Sequence, residues 1–269
     1  MDERPVSKIV NAFKRAKSAI GAAVGRLFTL GFSRKNGDAA AKESAKILSE
    51  LNEESRKHID EALTTAAKDG TRQTLIALGV GNALADVKLT RMNLAMLNAA
   101  KADAYADLLA VTQNMDRRTR MSIRQAIAEA MRANLGQGVN SSRTISADAL
   151  SRLRNTLGQA ADTGIIDAAG RRWKPEVYVE TVVLTKMAET QREATINEAL
   201  GRDVYYAQIS SHGAKDACRN WEGRIVKLTP DAPGDYPYVG DLPRREIFHP
   251  RCRHVLSPVR NPEIIGGGN

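Results

Sequence analysis

The chain has 269 residues, 42% hydrophobic and 26% charged, with 40 Lys plus Arg against 31 Asp plus Glu and a formal net charge of +9. This excludes a wholly disordered chain and gives room for one large or two modest domains with a real core. Two cysteines exclude a disulfide scaffold and a Cys-only zinc site, and 4% aromatics supply few platforms for stacking single-stranded nucleic acid.

Residues 1–36 form a basic amphipathic arm, with eight bases against two acids. Val6, Ile9, Phe13, Ala16, Ile20, Val24 and Leu27 recur at helical steps. Lys8, Lys14, Arg15, Lys17, Arg26, Arg34 and Lys35 are candidate contacts to DNA, an anionic surface or an acidic partner. The apolar stretch 19–32 is interrupted by Arg26 and lacks a cleavage site, so a cytosolic start is expected. No run is long enough to span a bilayer.

Residues 37–162 read as a helical region. A helix over 39–68 is expected, capped by Asp38, striped by Leu48, Leu51, Ile59 and Leu63, and stopped at Gly70. Thr71 then opens a helical stretch to Gln113, softened by Gly79 and Gly81. Asp116 precedes another helix, which ends at Gly136. Residues 136–144 are a loop by composition, and Ser146 opens a shorter helix. Lone His58 reads as a surface residue. No catalytic constellation stands in this region, and its expected role is mechanical.

The character changes after Gly164. Eight of the twelve aromatics fall in the last hundred residues, so 163–262 reads as a separately packed α+β module. Pro175 suits the first position of a helix that ends at Gly201. Strands are expected at 204–210, 224–228 and 253–259. Residues 263–269 read as a flexible tail. The fold class is therefore α+β: an extended, mostly helical N-terminal half, then a small α+β module with short antiparallel strands.

Three of the four histidines and both cysteines lie between 212 and 254. Cys252 and His254 are two apart, so on a strand both aim to one face. His212 and Cys218 sit on a loop after a strand end. Two ligands from the loop and two from the strand give a closed tetrahedral set of His212, Cys218, Cys252 and His254 for a structural zinc. A Cys218–Cys252 disulfide, two unrelated thiols and a Cys/His nucleophilic pair are the alternatives. His249, before Pro250, reads as a residue that packs or hydrogen-bonds near the site.

The stretch from about 165 to 259 resembles the phage minor capsid protein 2 family and, more loosely, the Mu-F-like head morphogenesis proteins. The matching residues are Asp167, Gly170, Arg171 and Trp173; Ser210, Ser211 and His212; Trp221, Gly223, Arg224 and Val226; and Cys252, Arg253 and His254. Of these, Asp167, Gly170, Arg171, Trp173, Trp221 and Gly223 are expected to be structural. The helical half carries no matching motif, although the family's N-terminal regions are helical.

The resemblance implies a virion protein in the head interior or at the portal vertex, assembled in the host cytoplasm and oligomeric within the particle. It would contact portal or major capsid protein and packaged double-stranded DNA. A virion-carried effector of ADP-ribosyltransferase type is the alternative. Family members often carry an Arg-Thr pair in the central helix, where this chain has Leu184 and Thr185, which argues against enzymatic activity. A metal-dependent nuclease would need an open coordination position, which the four-ligand set denies.

Overall fold

A computed structural model of the chain describes residues 2–27, 33–80, 87–138, 141–161, 165–166 and 170–266. It is α+β. The elements run α1 (Arg4–Gly25), α2 (Arg34–Ala77), α3 (Arg91–Gly136), α4 (Ser142–Ala161), β1 (Ile165–Ile166), β2 (Arg172–Trp173), α5 (Pro175–Leu200), β3 (Tyr206–Ile209), β4 (Ile225–Lys227), β5 (Leu256–Val259) and α6 (Pro262–Gly266). No described helix is long and apolar enough to cross a membrane.

The helix α1 follows its apolar period: Val6, Ile9, Phe13, Ala16, Ile20, Val24 and Leu27 are all buried. The expected stop at Gly70 is not there. The helix α2 runs on to Ala77, because Gly70 sits where a neighbouring backbone comes close. A Cβ on it would lie 2.2 Å from the Gln191 carbonyl oxygen. The helix ends instead at Gly79, whose φ of +65° suits glycine. There Val80 N–H bonds Leu75 O at 2.9 Å and Gly79 N–H bonds Ile76 O at 3.1 Å, the paired bonds of a Schellman ending.

The expected break at Asp116 is also absent. Asp116 is within α3 and pairs with Arg120 one turn on, at 2.8 Å. The cap of α3 is Thr90, whose hydroxyl accepts from Asn93 N–H at 3.2 Å. The helix α4 starts at Ser142, four residues before the expected Ser146. His58, expected at the surface, is half-buried beside Glu54.

Proline at the first position of α5 is as expected. The helix ends at Leu200, next to Gly201 as expected, and the left-handed residue of the ending is Asp203 at φ 58°. Gly81, Asp167 and residues 267–269 of the expected tail lie outside the described residues, as does the side chain of Arg34.

By packing, the chain divides into two compact units, each built from segments distant in sequence. One comprises Ser7–His58 and Tyr105–Glu180. Its core joins Val24, Leu27, Ala40, Ala41, Ile123, Ala126, Ala130, Ala149 and Leu153. Here β1 and β2 pair antiparallel, and Trp173 meets Tyr178 edge to face at 6.2 Å.

The other unit comprises Met1–Val6, Ile59–Ala104 and Thr181–Asn269. It holds the three-stranded sheet in the order β4-β3-β5, with β3 antiparallel to both neighbours. The registers are Ala207 opposite Val226 and Pro258, and Ile209 opposite Leu256. Pro258 falls on an edge strand, where a missing N–H is tolerated. The core of this unit includes Val204, Ala207, Ile209, Val226, Ile247, Phe248 and Leu256, with Cys218 and Cys252 among them.

Candidate metal centre

Two short connections carry the chemistry. After β3 the chain turns into a 3-10 turn over Ala217–Asn220. Asp216 caps it, its Oδ1 accepting from Cys218 N–H at 3.1 Å. That cap points the Cys218 thiol into the core. The second connection is the approach to β5. It carries positive φ at Phe248 (57°) and Arg251 (65°), conformations unusual for residues with side chains. A turn closes there, with Cys252 N–H bonding His249 O at 2.9 Å.

Cys252 and His254 were expected on a strand. They lie just before β5, which begins at Leu256. The alternation survives: Cys252 and His254 are buried and Arg253 is exposed.

The two thiols are free, with Sγ atoms 3.8 Å apart, so they form no disulfide here. Cys252 Sγ is 3.3 Å from His254 Nδ1. The ligand atoms of Cys218, Cys252 and His254 all lie within 4.8 Å of one another, and all three residues are buried: the cluster can hold a metal ion. His254 Nε2 meets Glu222 Oε1 at 3.1 Å.

Glu222 also accepts from the backbone N–H of His212 (2.9 Å) and Ala214 (3.0 Å). These bonds, aided by His254, hold its carboxyl well down, to about 2. Burial pushes the Cys218 thiol up to about 12, and Cys252 adds to the rise. An uncompensated thiolate is disfavoured in this core, and a bound cation would supply the missing charge.

His212 takes a different place from the one expected. It is exposed, its ring tilted against His254 at 4.1 Å between centroids, and its Nδ1 is 4.0 Å from Glu222. Its metal-compatible neighbours are Glu222 and His254, not the thiols. His249, expected to pack or hydrogen-bond near the site, brings Nε2 to 3.1 Å from Cys218 Sγ and 3.2 Å from Asp216 Oδ2. Sequence reasoning missed Asp216, put His249 in the cluster but outside the ligand set, and gave Glu222 only to the enzyme alternative, as a cleft residue beside His212, Trp221 and Arg224. The one signal for His249 was its place three residues before Cys252.

Two of the motif residues, Gly223 and Trp221, brace the connection after β3, while Gly170, Arg171 and Trp173 lie in the other unit. Gly223, at φ +74°, donates to Ile209 O at 2.9 Å and accepts from Gln208 Nε2 at 2.9 Å. Trp221 donates from Nε1 to Glu246 at 3.1 Å, with Arg224 over its ring. Gly170 turns at φ +77°, and Arg171 lies over Trp173.

Three candidate contact residues of the N-terminal arm are ion-paired within their unit. Arg15 meets Glu54 at 2.6 Å, Lys17 meets Glu176 at 3.2 Å, and Arg26 meets Glu43. Lys14 and Lys35 are exposed, and Lys8 is exposed but has a partner.

Neither a curated protein nor a solved structure matches the chain. The sequence pattern described as phage minor capsid protein 2 matches residues 6–261. That match spans the helical half as well as the α+β module, beyond the 165–259 stretch in which motifs were legible. The chain belongs to the phage minor capsid protein 2 family, whose members are structural components of the virion head.

Proposed function

We propose that the protein works as a docked assembly component of the phage head, at the portal vertex or the inner capsid face, after assembly in the host cytoplasm. The observation that carries the docking reading is three exposed apolar side chains on one side of α3, which they share with exposed Arg124. Met121, Met131 and Leu135 are 59%, 47% and 51% exposed. Their spacings of ten and four residues set them on one side of the helix. Large apolar side chains gathered on one side of a helix with a basic neighbour suit a contact with another protein. Portal or major capsid protein is the partner that family membership favours.

Packaged double-stranded DNA is the weaker partner for the basic arm. Lys14 and Lys35 support it, and the ion pairs of Arg15, Lys17 and Arg26 oppose it. The effector-enzyme alternative gains nothing from the site, because Glu222 is committed to two backbone N–H groups and His254.

The cofactor we propose is zinc, as a structural staple of the C-terminal module. Three buried thiol and imidazole donors in mutual reach support it, since zinc favours S and N ligands. Elemental analysis of purified protein should find one zinc per chain, and zinc-free protein with an unchanged melt would refute the staple.

The docking reading is tested on purified heads. Wild-type protein should be found in them by mass spectrometry. A Met131→Glu, Leu135→Glu double variant should fold, judged by circular dichroism, but be depleted from heads. Its normal incorporation would overturn the assignment of this face.

A further inference from the structure

We propose that the fourth ligand of the metal is His249, so that one zinc ion is held by Cys218, His249, Cys252 and His254, while His212 stays outside the coordination shell. The inference rests on the staple reading above and fixes its chemistry.

Three observations converge. The first is spacing. In a tetrahedral site with Zn–S of about 2.3 Å and Zn–N of about 2.0 Å, ligand atoms stand roughly 3.5–3.8 Å apart. The two Sγ atoms are 3.8 Å apart, Cys252 Sγ and His254 Nδ1 3.3 Å, and Cys218 Sγ and His249 Nε2 3.1 Å. Each of these three contacts is within a few tenths of an ångström of a coordination edge, and Cys218 is the donor shared by the buried group with Cys252 and His254 and by a second group with Asp216 and His249.

The second is how the other ring nitrogens are used. His249 Nδ1 lies 2.9 Å from the Pro250 carbonyl oxygen, which only accepts, so that nitrogen carries the hydrogen. Its Nε2 then offers a lone pair toward Cys218. His254 likewise directs Nε2 to the Glu222 carboxylate and turns Nδ1 to Cys252. A ring that donates from one nitrogen to a carbonyl or carboxylate and presents the other to a shared point is oriented as metal-binding histidines are.

The third is the Asp216 carboxylate. Its Oδ2 is 3.2 Å from the same His249 Nε2. That carboxylate places negative charge beside the position the ion would take, next to the Cys218 sulfur.

This set joins the 3-10 turn after β3 to the bent connection before β5. A bound ion therefore crosslinks two loops that the sheet itself leaves unpaired. It also compensates the positive φ of Phe248 and Arg251 by fixing the turn between them. An opening of about 340 Å³, lined by His212, Asp216, Cys218, His249, Cys252 and His254 among others, gives the ion its way in. With four protein ligands no position remains for water, so the site is structural.

Cobalt(II) titration of the full-length protein tests the assignment, because cobalt reports ligand type and number in its spectrum. Wild type should bind one cobalt with the strong visible bands of a four-coordinate site and thiolate charge transfer from two sulfurs. His249→Cys should keep the metal and raise the thiolate charge-transfer intensity by about half. His212→Cys should leave the spectrum as in wild type. His249→Ala should weaken zinc binding by more than the 10–100-fold expected for Glu222→Gln, which removes only an outer carboxylate, and His212→Ala should change it less than threefold.

If wild type binds neither zinc nor cobalt, the staple reading fails. If it binds cobalt but His249→Cys gains no charge-transfer intensity, the staple stands and the His249 assignment is overturned. Gain in His212→Cys alone would hand the position to His212.

Discussion

Replacing Gly70 with alanine isolates one close approach between helices. A Cβ there would sit 2.2 Å from Gln191 O and 3.1 Å from Ala194 Cβ. Ordinary contact begins near 3.4 Å, so α2 and α5 must part locally by roughly 1 Å. The seam they share is polar and buried. Thr195 Oγ1 donates to Gly70 O at 3.3 Å, Thr74 Oγ1 to Gly70 O at 3.0 Å, and Gln191 Nε2 to Gln73 Oε1 at 3.0 Å. Parting the helices stretches the Thr195 and Gln191 bonds as well as the contact, while the Thr74 bond lies within α2. Overpacking of this kind costs about 3 kcal/mol, while alanine returns about 1 kcal/mol of helix propensity.

The expected net loss is about 2 kcal/mol, a fall in Tm of roughly 4–8 °C for a chain of this size. Gly21→Ala is the control, since nothing lies within 4 Å of its added Cβ. It should stabilise by about 0.5–1 kcal/mol. Denaturant unfolding followed by circular dichroism and by tryptophan fluorescence measures both. If Gly70→Ala unfolds at the same or a higher denaturant concentration than wild type, the close-approach argument is wrong.

Other substitutions probe separate parts of the structure. Phe13→Ala empties a site that is 1% exposed on α1 and should cost about 3–5 kcal/mol in thermal or denaturant unfolding. Asn93→Ala removes a buried amide that donates to Thr71 Oγ1 and Ala194 O and accepts from Asn197, so a loss of about 1–3 kcal/mol is expected from the same measurements. Arg15→Ala breaks an exposed pair with Glu54 and should change stability by less than about 1 kcal/mol, with a smaller effect at high salt. Cys252→Ser should abolish zinc retention, and chelator added to wild type should increase protease cleavage around 212–254 while the helical signal persists.

Much of the secondary structure was legible because it is local. The α1 stripe, proline at the start of α5 and the three strands follow from side-chain period and backbone restriction. The errors were at residues whose local preference was overruled. Gly70 signals a helix end in isolation, but Gln191, 121 positions later, makes use of its missing side chain. Asp116 looks like a cap, yet the hydrophobic face on both sides of it is continuous, and Arg120 satisfies its charge within the helix.

The candidate centre was legible in residue type and approximate place. Clustering of two cysteines with three histidines marked the right loops, and the two-residue step placed Cys252 and His254 together. The roles of His212 and His249 were not legible, because both are within reach of the thiols in sequence. Which one arrives is set by the cap at Asp216 and by the backbone bend at Phe248 and Arg251.

The sequence by itself determined the α+β class, the helical faces, the basic start and the segment that carries every sulfur–imidazole contact, since these rest on composition and short-range periodicity. Only the tertiary structure decided that Arg15, Lys17 and Arg26 spend their charge on the chain's own acids, that Gly70 is a contact and not a stop, and that His249 faces Cys218 while His212 leans on His254. Each of these depends on which distant residues meet, and pairwise distance between remote segments is fixed by packing of whole elements, which no local pattern encodes.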